Sequence, residues 1–558
     1  MLKGRAVSLE SPSLTNPNQN GITGYVQRAT SAAVLYKNQR LRAAVIRLLP
    51  SPSSITAVAT AAVTRRLRSE ARFVQELGKM RTFVSIGVRP FVLAALILST
   101  TTAWTLPAVR RSLPLPTSLA MTATSDLPKP KLPIPEPICS DIPGTWAYDT
   151  MSRRVDEEIL QRTFDDNKET FETEPFQPIL KRFQQLREDL RSSSKLKMLD
   201  ELPAGASEER KREWKEWKEI LQPFLDRGDT WLSAPWMVTE FYVYRRLIQA
   251  IGYWDAGTPG YLFDPFIQQK RLGLESSVGS AEPMLEKIPN VPKTAEGIDL
   301  AASIALWGNK MDLSIWPADT KNSDIDVFSS ILESASENLL HDDLDVLGEY
   351  CETLRRKGGG NVDIIVDNAG FELITDLALA QHLVESGIAS CVTFQLKSHP
   401  TFVSDALEKD LLEHVEHYTA LDGTKYPNCK KAGDKWKQYL KDGRWKCHED
   451  NFWVQAYAMW DMTEPLRSDL KKRCDLAFVK GDANYRRLLG DRMWDFTSPF
   501  EDVVGSYFPC PVCALRTLKA EIGCGMDADQ IAKAKKLDDN WQVNGRFGVV
   551  QFGKGAER

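Results

Sequence analysis

Residues 361–372 read NVDIIVDNAGFE, and the pattern of this segment indicates the fold class. Its first half holds a short apolar run, Val362 to Val366, that lacks helical spacing. Such a run is typical of a strand buried on both faces of a parallel sheet. The next segment, Phe371 to Ser386, has the apolar spacing of a helix that would cover this strand. The pattern therefore predicts a strand and its crossover helix in an α/β fold.

Two polar residues, Asp367 and Asn368, follow the predicted strand directly. Open α/β sheets bind their ligands in the crevice at the carboxyl ends of the strands. The position of these residues therefore predicts a ligand site. Asp and Asn are also common helix caps, so capping is the alternative interpretation for each residue alone.

The composition is that of a large globular protein, with 558 residues of which 42% are hydrophobic. The net charge of −4 hides a basic first 125 residues, near +13, and an acidic remainder, near −17. An acidic body argues against nucleic-acid binding. The nine scattered cysteines are typical of reduced thiols, which predicts a cytoplasmic location.

Residues 1–120 are a basic, acid-poor, low-complexity extension. Three interpretations compete: an organelle targeting sequence, a membrane anchor through the uncharged residues 90–109, or a dispensable or non-native extension with Met121 as the true start. The Ser/Thr cluster and the prolines of residues 90–109 disfavour insertion, so the dispensable extension is favoured and membrane contact is otherwise not expected. Residues 121–145 are a Pro-rich lead-in.

Residues 146–300 are predicted to form a mostly helical subdomain. The predicted helices are Asp156–Asp165, Phe176–Ser193, Ser207–Asp226 and Pro235–Ile251. In the last of these, Glu240 and Tyr244 share a face, four residues apart. Glu240 and Arg245 interrupt an apolar surface, which indicates either a structural ion pair, the slightly favoured interpretation, or charge directed at a site.

Residues 301–558 alternate between helical and strand patterns, which predicts a parallel or mixed sheet covered by helices on both sides. The predicted strands are Val362–Val366, Ala389–Leu396, Asp475–Val479 and Phe547–Phe552, and the predicted helices are Glu337–Lys357, Phe371–Ser386 and Asp405–His417. The insertion Tyr418–Leu466 is rich in Lys and Trp, and we expect it to be helical and peripheral.

Polar residues follow two further predicted strands as well. The second strand is followed by Lys397, His399, Ser404 and Asp405, and the third by Lys480, Asp482, Asn484 and Arg486. Two carboxylates and an amide oxygen are hard ligands that suit Mg²⁺ or Mn²⁺. The cations that could neutralise an anionic substrate are Lys397, Lys480, Arg486, Arg516 and Lys519. This combination predicts phosphate chemistry.

Other motifs carry less weight. His414 and His417 lie three residues apart on a charged helix, and we expect a solvated face there. Cys510 and Cys513 form a single CxxC without a second pair, so a zinc site is not expected. The glycines of residues 358–360 precede a strand, whereas a nucleotide-binding loop follows one.

Four motifs together resemble the DUF89 family of damage-control phosphatases. They are DNAGFE (367–372), HPTFVSD (399–405), KGDANYRRL (480–488) and LRTLK (515–519). The last one is similar to the RTxK motif of subfamily III, a group also named for acidic-residue methylation. TEFYVYRR, DPFIQQK and LWGNKMDLS resemble the helical half of the same group. The resemblance covers roughly residues 140–552.

The resemblance implies an α/β/α sandwich with a mixed, mainly parallel sheet and a helical N-terminal subdomain. It implies that Asp367, Asn368 and Asp405 bind Mn²⁺, or Co²⁺, Ni²⁺ or Mg²⁺, and act in catalysis together with Lys519. The substrate contacts it implies are Glu240, Asp482, Ala483, Asn484, Tyr485, Arg486, Arg516 and Lys519.

The activity that the resemblance implies is metal-dependent hydrolysis of a small sugar phosphate, with fructose 1-phosphate and fructose 6-phosphate as typical substrates. Water is the favoured nucleophile, and the Asp367 carboxylate is the alternative. S-adenosylmethionine-dependent methylation of protein glutamates is the second function, ranked lower because no Gly-rich loop follows a strand. A non-catalytic binding protein is a third.

Overall fold

The structure is a computed structural model that describes residues 127–308 and 336–556. The described residues belong to one compact unit. Predictions for residues 1–120, including the segment 90–109, and for residues 309–314 of LWGNKMDLS lie outside the described residues. Within the described ranges, no helix is both long enough and apolar enough to cross a membrane.

Seven described strands form one sheet. They are β1 (Leu339–Asp342), β2 (Gly360–Ile365), β3 (Ala389–Lys397), β4 (Trp445–Asp450), β5 (Leu476–Lys480), β6 (Val512–Thr517) and β7 (Gly548–Gly553). Their order is β1-β7-β6-β5-β2-β3-β4, and all neighbours are parallel except β6 and β7. The sheet is thus mixed and mainly parallel, which confirms the predicted fold class.

The helices precede, separate and follow these strands. They are α1 (Trp146–Asp149), α2 (Gln161–Asp166), α3 (Lys168–Phe171), α4 (Gln177–Arg191), α5 (Glu208–Arg227), α6 (Trp236–Ile251), α7 (Ile267–Lys287), α8 (Ala295–Trp307), α9 (Leu344–Arg356), α10 (Phe371–Glu385), α11 (Glu408–Thr419), α12 (Pro427–Asp442), α13 (Leu466–Arg473), α14 (Asp482–Leu488) and α15 (Ala528–Leu537). A π-helix, Thr150–Leu160, joins α1 to α2.

The sheet separates two hydrophobic cores because alternate residues of each strand point to opposite faces. Val362, Ile364 and Val366 pack with α7 to α12 on one face. Ile365 packs with the N-terminal helices α4 to α6 on the other. The fold is therefore a three-layered α/β/α sandwich, and α6 crosses it next to the carboxyl ends of the strands.

Three strands differ from the sequence-based prediction. β1 lies within the predicted helix Glu337–Lys357, and β4 lies within the insertion that we expected to be helical. β4 is an edge strand with mostly half-buried or exposed residues, so it lacks an apolar run. β6 is fully buried, but it was not predicted as a strand because it contains the second cysteine of the CxxC motif. Besides α12, the described insertion contains two short 3₁₀-helices, Asn451–Val454 and Met459–Asp461.

Candidate functional site

A cavity of about 840 Å³ opens at the carboxyl ends of the central strands. Its polar lining includes Asp367, Asn368 and Glu372 after β2, Ser404 and Asp405 after β3, Asp482 and Arg486 after β5, Lys519 after β6, Glu240 and Tyr244 on α6, and Thr150 and Arg154 on the π-helix. The predicted metal ligands are thus brought together at one site. Ala483 also lines the cavity.

A short antiparallel bridge holds the loop after β2 against the loop after β3. The Ala369 N–H donates to the Ser404 carbonyl at 2.7 Å, and the Ala406 N–H donates to the Asp367 carbonyl at 2.9 Å. Because both loops are fastened through their backbones, the side chains of Asp367 and Asp405 have fixed starting points. The bridge explains how residues 38 positions apart in the sequence share one site.

The Asn368 amide connects the acidic side chains of the site. Its Nδ2 donates to Asp367 Oδ2 at 3.0 Å and to Glu372 Oε2 at 2.9 Å. Its Oδ1 accepts from the Ser404 hydroxyl at 2.6 Å. A cation bound between Asp367 and Glu372 would therefore replace the hydrogen bonds that the Asn368 amide nitrogen donates to them.

The two buried aspartates carry strongly perturbed pKa values. Burial is the main cause of the raised pKa of Asp367, and the charges of Asp405 and Glu372 raise it further. Burial likewise raises the pKa of Asp405 to about 6, although Lys397 Nζ lies 3.3 Å from its Oδ2 and lowers it. Asp367 Oδ1 is buried and has no hydrogen-bond partner among the described residues. A positive charge placed beside these two carboxylates would therefore stabilise their ionised forms.

Gly481, at the end of β5, makes room for Asp367. A Cβ at this position would lie 1.9 Å from Asp367 Oδ2, and the Gly481 φ of +81° is one that L-residues rarely adopt. The neighbouring strand thus needs glycine here so that the carboxylate can point into the cavity.

Two cations line the cavity beside the carboxylates, and they differ in how they are paired. Arg486 donates to Glu240 at 2.6 Å and to Asp491 at 2.8 Å and 3.0 Å, and it stacks 3.6 Å from the Trp236 ring. Lys519 makes no side-chain ion pair with the residues that the structure describes, and its charge lowers the pKa of Asp367. Of these two cations, Lys519 is therefore the one available to an anionic ligand.

Three predicted substrate contacts lie behind the cavity wall. Arg516 donates to Asp482 Oδ1 at 2.8 Å and to the carbonyls of Ala520 and Ile522. Asn484 accepts from Lys397 at 3.1 Å, and Tyr485 donates to Gln551 at 2.7 Å. These side chains hold the walls in place rather than facing the cavity.

Two other predicted polar residues are buried and do not line the cavity. Lys480 forms an ion pair with Asp376 at 2.8 Å and donates to the Ala305 carbonyl. The His399 ring is buried, and this burial lowers its pKa to about 4. Arg245 pairs with Glu213 rather than with Glu240, so the suspected Glu240–Arg245 pair does not form. The charge of Glu240 faces the cavity.

The prediction that His414 lies on a solvated face is wrong. The residue is 2% exposed, and its Nε2 accepts from the Gly370 N–H at 2.8 Å. Its Nδ1 donates to the Asp410 carbonyl at 2.7 Å, so the ring is neutral. Burial lowers its pKa to about 4. His414 thus anchors the backbone of the loop that carries Asp367 and Asn368.

Sequence reasoning missed Glu372, Thr150 and Arg154. Glu372 lies four residues after Asn368, and this spacing on the start of α10 was visible in the sequence. Thr150 and Arg154 lie four residues apart at the start of the subdomain, but nothing local indicates that this segment reaches the sheet edge. Only the tertiary packing brings it there.

The fold and the cavity define an α/β enzyme with a carboxylate-rich site at the carboxyl edge of its sheet. The family model described as the damage-control phosphatase ARMT1-like domain matches residues 150–534. The chain therefore belongs to the ARMT1-like family of damage-control phosphatases, and it is a phosphatase.

Individual relatives agree with this family. The chain is 32% identical to the damage-control phosphatase ARMT1 of Danio rerio, over 75% of this chain and 97% of the relative. It is 33% identical to the human protein of that name, over 61% of this chain and 79% of the relative. A solved DUF89 protein from Pyrococcus horikoshii is 17% identical with a TM-score of 0.33, covering 68% of this chain and 98% of that one. The names of the relatives do not favour the methyltransferase alternative.

Proposed function

We propose that this chain is a metal-dependent phosphatase that hydrolyses sugar phosphates, with fructose 1-phosphate and fructose 6-phosphate as substrates. The observation that carries the proposal is the buried Asp367 carboxylate, whose Oδ1 has no hydrogen-bond partner among the described residues. It lies beside Asn368 and Asp405 in a cavity that a sugar phosphate could enter.

The charge balance of the cavity supports a cation requirement. The carboxylates that line it are Glu240, Asp367, Glu372, Asp405 and Asp482, whereas its cations are Arg154, Arg486 and Lys519. A phosphate dianion would be repelled by such a surplus of negative charge. A divalent cation beside Asp367 and Asp405 would offset this surplus and attract the phosphate.

The donor set fits a hard divalent cation. Asp367, Asn368 and Asp405 would hold it, because carboxylate and amide oxygens suit Mn²⁺ and Mg²⁺, and Co²⁺ or Ni²⁺ can replace them. In the described part of the chain, no three carboxylate, imidazole or thiol groups converge on one point, so the amide is needed. Its oxygen would have to turn inward, and Ser404 can then accept from Nδ2.

When bound, the metal would supply Lewis-acid stabilisation of the phosphoryl group and a lowered pKa for water. Lys519 would balance the remaining charge of the phosphate as the ester bond breaks. Glu240 has its second oxygen free of the described Arg486 contact, and it would accept from a sugar hydroxyl. Asp482 holds the Lys519 backbone N–H at 3.1 Å and so positions that cation.

Phosphate release from fructose 1-phosphate tests this proposal on the full chain. We expect turnover with added Mn²⁺, Co²⁺ or Ni²⁺ and none with a chelator. Asp405→Asn should abolish turnover, whereas Asp410→Asn is the matched control. Both residues are 2% exposed, but Asp410 pairs with Lys270 at 2.7 Å outside the cavity. Equal turnover by Asp405→Asn and the wild type would refute the metal assignment.

We also propose that the protein works in the cytoplasm. All nine cysteines lie in the described part of the chain, where none forms a disulfide, and six of them are buried. Thiols of this kind persist in a reducing compartment. Fractionation of cells that express the full chain tests the proposal, and recovery in an organelle would overturn it.

A further inference from the structure

We propose that Thr150 and Arg154 form a second substrate subsite, which binds an oxyanion at the end of the substrate distal to the scissile phosphate. The inference rests on the proposed function, because it assumes that the phosphate lies beside Asp367 and Asp405. It adds to the proposed fructose phosphates a further substrate class, phosphorylated polyols that carry a second oxyanion, either a carboxylate or a phosphate.

The cavity-facing side of the π-helix Thr150–Leu160 carries both residues. Their neighbour Arg153 does not line the cavity and instead pairs with Asp149 at 2.9 Å and Glu158 at 2.7 Å. Single turns of π-helix are frequent at functional sites, where they redirect side chains. The segment therefore presents one arginine to solvent and the next one to the cavity.

Thr150 contributes a hydroxyl without a partner. Its side chain is 3% exposed, and Oγ1 is buried with no hydrogen bond to any described residue. A buried hydroxyl that lacks a partner lowers stability, and such groups call for a functional explanation. A ligand oxygen in the cavity would give this hydroxyl the partner that the protein does not.

Arg154 contributes a guanidinium that is held in place but only partly used. Its plane lies 4.2 Å from the Trp146 ring, and its Nε donates to Glu158 at 3.0 Å. Among the described residues, neither Nη makes a hydrogen bond. A stacked guanidinium keeps a planar fork that matches a carboxylate or phosphate. The free Nη groups are thus available for bidentate binding.

Tyr244 lines the same cavity as Arg154 and the aspartates. Burial, Glu240 and Asp405 raise its pKa, whereas Arg154 lowers it. The cavity of about 840 Å³ exceeds what a phosphate alone requires and lies in the range of pockets for larger ligands. One substrate can therefore reach from Asp405 to Arg154.

Three acyclic substrates of equal carbon length test the subsite in the full, Mn²⁺-loaded enzyme. Glucitol 6-phosphate has a neutral distal end, 6-phosphogluconate has a carboxylate there, and glucitol 1,6-bisphosphate has a phosphate. We expect Arg154→Met to raise KM for the two probes with an anionic distal end by about tenfold or more, with kcat and the KM for glucitol 6-phosphate changed by less than about twofold. Arg154→Lys should restore part of the loss.

Two controls separate binding from folding. Arg153→Met should leave every KM unchanged, since that side chain points away from the cavity. Thr150→Val removes an unpartnered hydroxyl while keeping the shape, so Tm should stay equal or rise while the KM for 6-phosphogluconate increases. A lower Tm with unchanged KM would instead give Thr150 a purely structural role and overturn its part in the subsite.

The remaining outcomes also decide the question. Equal losses on all three probes in Arg154→Met, or the same loss in Arg153→Met, would overturn the subsite. If neither fructose 1-phosphate nor any of the three probes is hydrolysed with any metal, the proposed function fails, and calorimetric binding of 6-phosphogluconate then tests the subsite alone. Binding that Arg154→Met weakens would sustain it, and binding that is unchanged would overturn it. Comparing the two probes with an anionic distal end shows whether carboxylate or phosphate is preferred.

Discussion

Two aspartates on one stretch of chain, Asp363 within β2 and Asp367 just after it, are both buried but have opposite surroundings. Asp363 is fully paired, since Arg473 donates to it at 2.6 Å and 2.9 Å and Gln395 at 2.7 Å. Asp367 has only the Asn368 amide on one oxygen and no described partner on the other. The difference shows that the partners of a buried carboxylate, rather than its burial, distinguish a structural role from a functional one.

The largest expected effect comes from replacing each of the two aspartates with asparagine in turn. Asp367→Asn should lower kcat/KM for fructose 1-phosphate on the order of 10³-fold or more, because it removes a metal ligand. Asp363→Asn should keep kcat but lower the free energy of unfolding by about 2–3 kcal/mol, because Arg473 loses its charged partner. Phosphate release and urea denaturation measure the two quantities.

The stability of metal-free Asp367→Asn sharpens the same comparison. Burial raises the pKa of Asp367, so its ionised form destabilises the metal-free protein at neutral pH. The variant should therefore be more stable than the wild type without metal. A loss of stability that equals the loss in Asp363→Asn would contradict the distinction between the two residues.

The next largest effect concerns the space beside Asp367. Gly481→Ala should lower kcat/KM by about 100-fold, because the new Cβ occupies the position of the Asp367 carboxylate and a small misplacement at a site is costly. Gly443→Ala is the control for a positive φ: its φ is +79° with nothing within 4 Å of the new Cβ. That variant should lose only about 1 kcal/mol of stability, with unchanged activity. Phosphate release and thermal unfolding distinguish the two variants.

The sequence predicted the strand β2 and the residues after it because their signal is local. A continuous apolar run followed by polar residues defines a buried parallel strand and its carboxyl end. The edge strands β1 and β4 lack such a run. Their sequences, LLHD and WKCHED, are extended because they form hydrogen bonds with neighbouring strands. These bonds join segments that are far apart in the sequence, and no local pattern reports them.

The same limit applied to the charges of the site. Arg486 was predicted as a free cation, but one of its partners, Glu240, lies 246 residues earlier in the chain. His414 was predicted as solvated because its helix neighbours are charged, whereas tertiary packing buries it against Gly370. Residue type and strand position thus predicted which groups gather, and only the fold determined which of them remain unpaired.

A smaller effect is expected from the pH dependence of the second aspartate. Burial raises the pKa of Asp405 in the folded metal-free protein to about 6, above the ordinary aspartate value of 3.8. Its stabilising contribution is therefore present below pH 3.8 and is lost as the pH rises through about 6. Because metal must displace this proton and also the one that the raised pKa of Asp367 favours, kcat/KM at limiting Mn²⁺ should fall at least about tenfold per pH unit below 6. Saturating Mn²⁺ should shift this limb to lower pH, and a limb that does not move would contradict competition.

The smallest effect concerns the anchor behind the open end of the strand. His414→Phe removes the acceptor of the buried Gly370 N–H and should lower the free energy of unfolding by about 1–3 kcal/mol. The kcat should fall only a few-fold, because Asp367 and Asn368 keep the backbone bridge to Ser404 and Ala406.

His414 also adds an acid sensitivity that the variant should lose. Its folded pKa of about 4 lies below the ordinary histidine value of 6.5, so its neutral form is favoured in the folded protein. The wild type therefore loses stability as pH falls from 6.5 towards 4, and His414→Phe should lose less over that range. His417→Phe, on the half-buried face of the same helix, is the control and should keep the wild-type slope. If His414→Phe and the wild type lose stability equally as the pH falls, the Gly370 contact does not hold the ring neutral. The backbone bridge alone would then position Asp367.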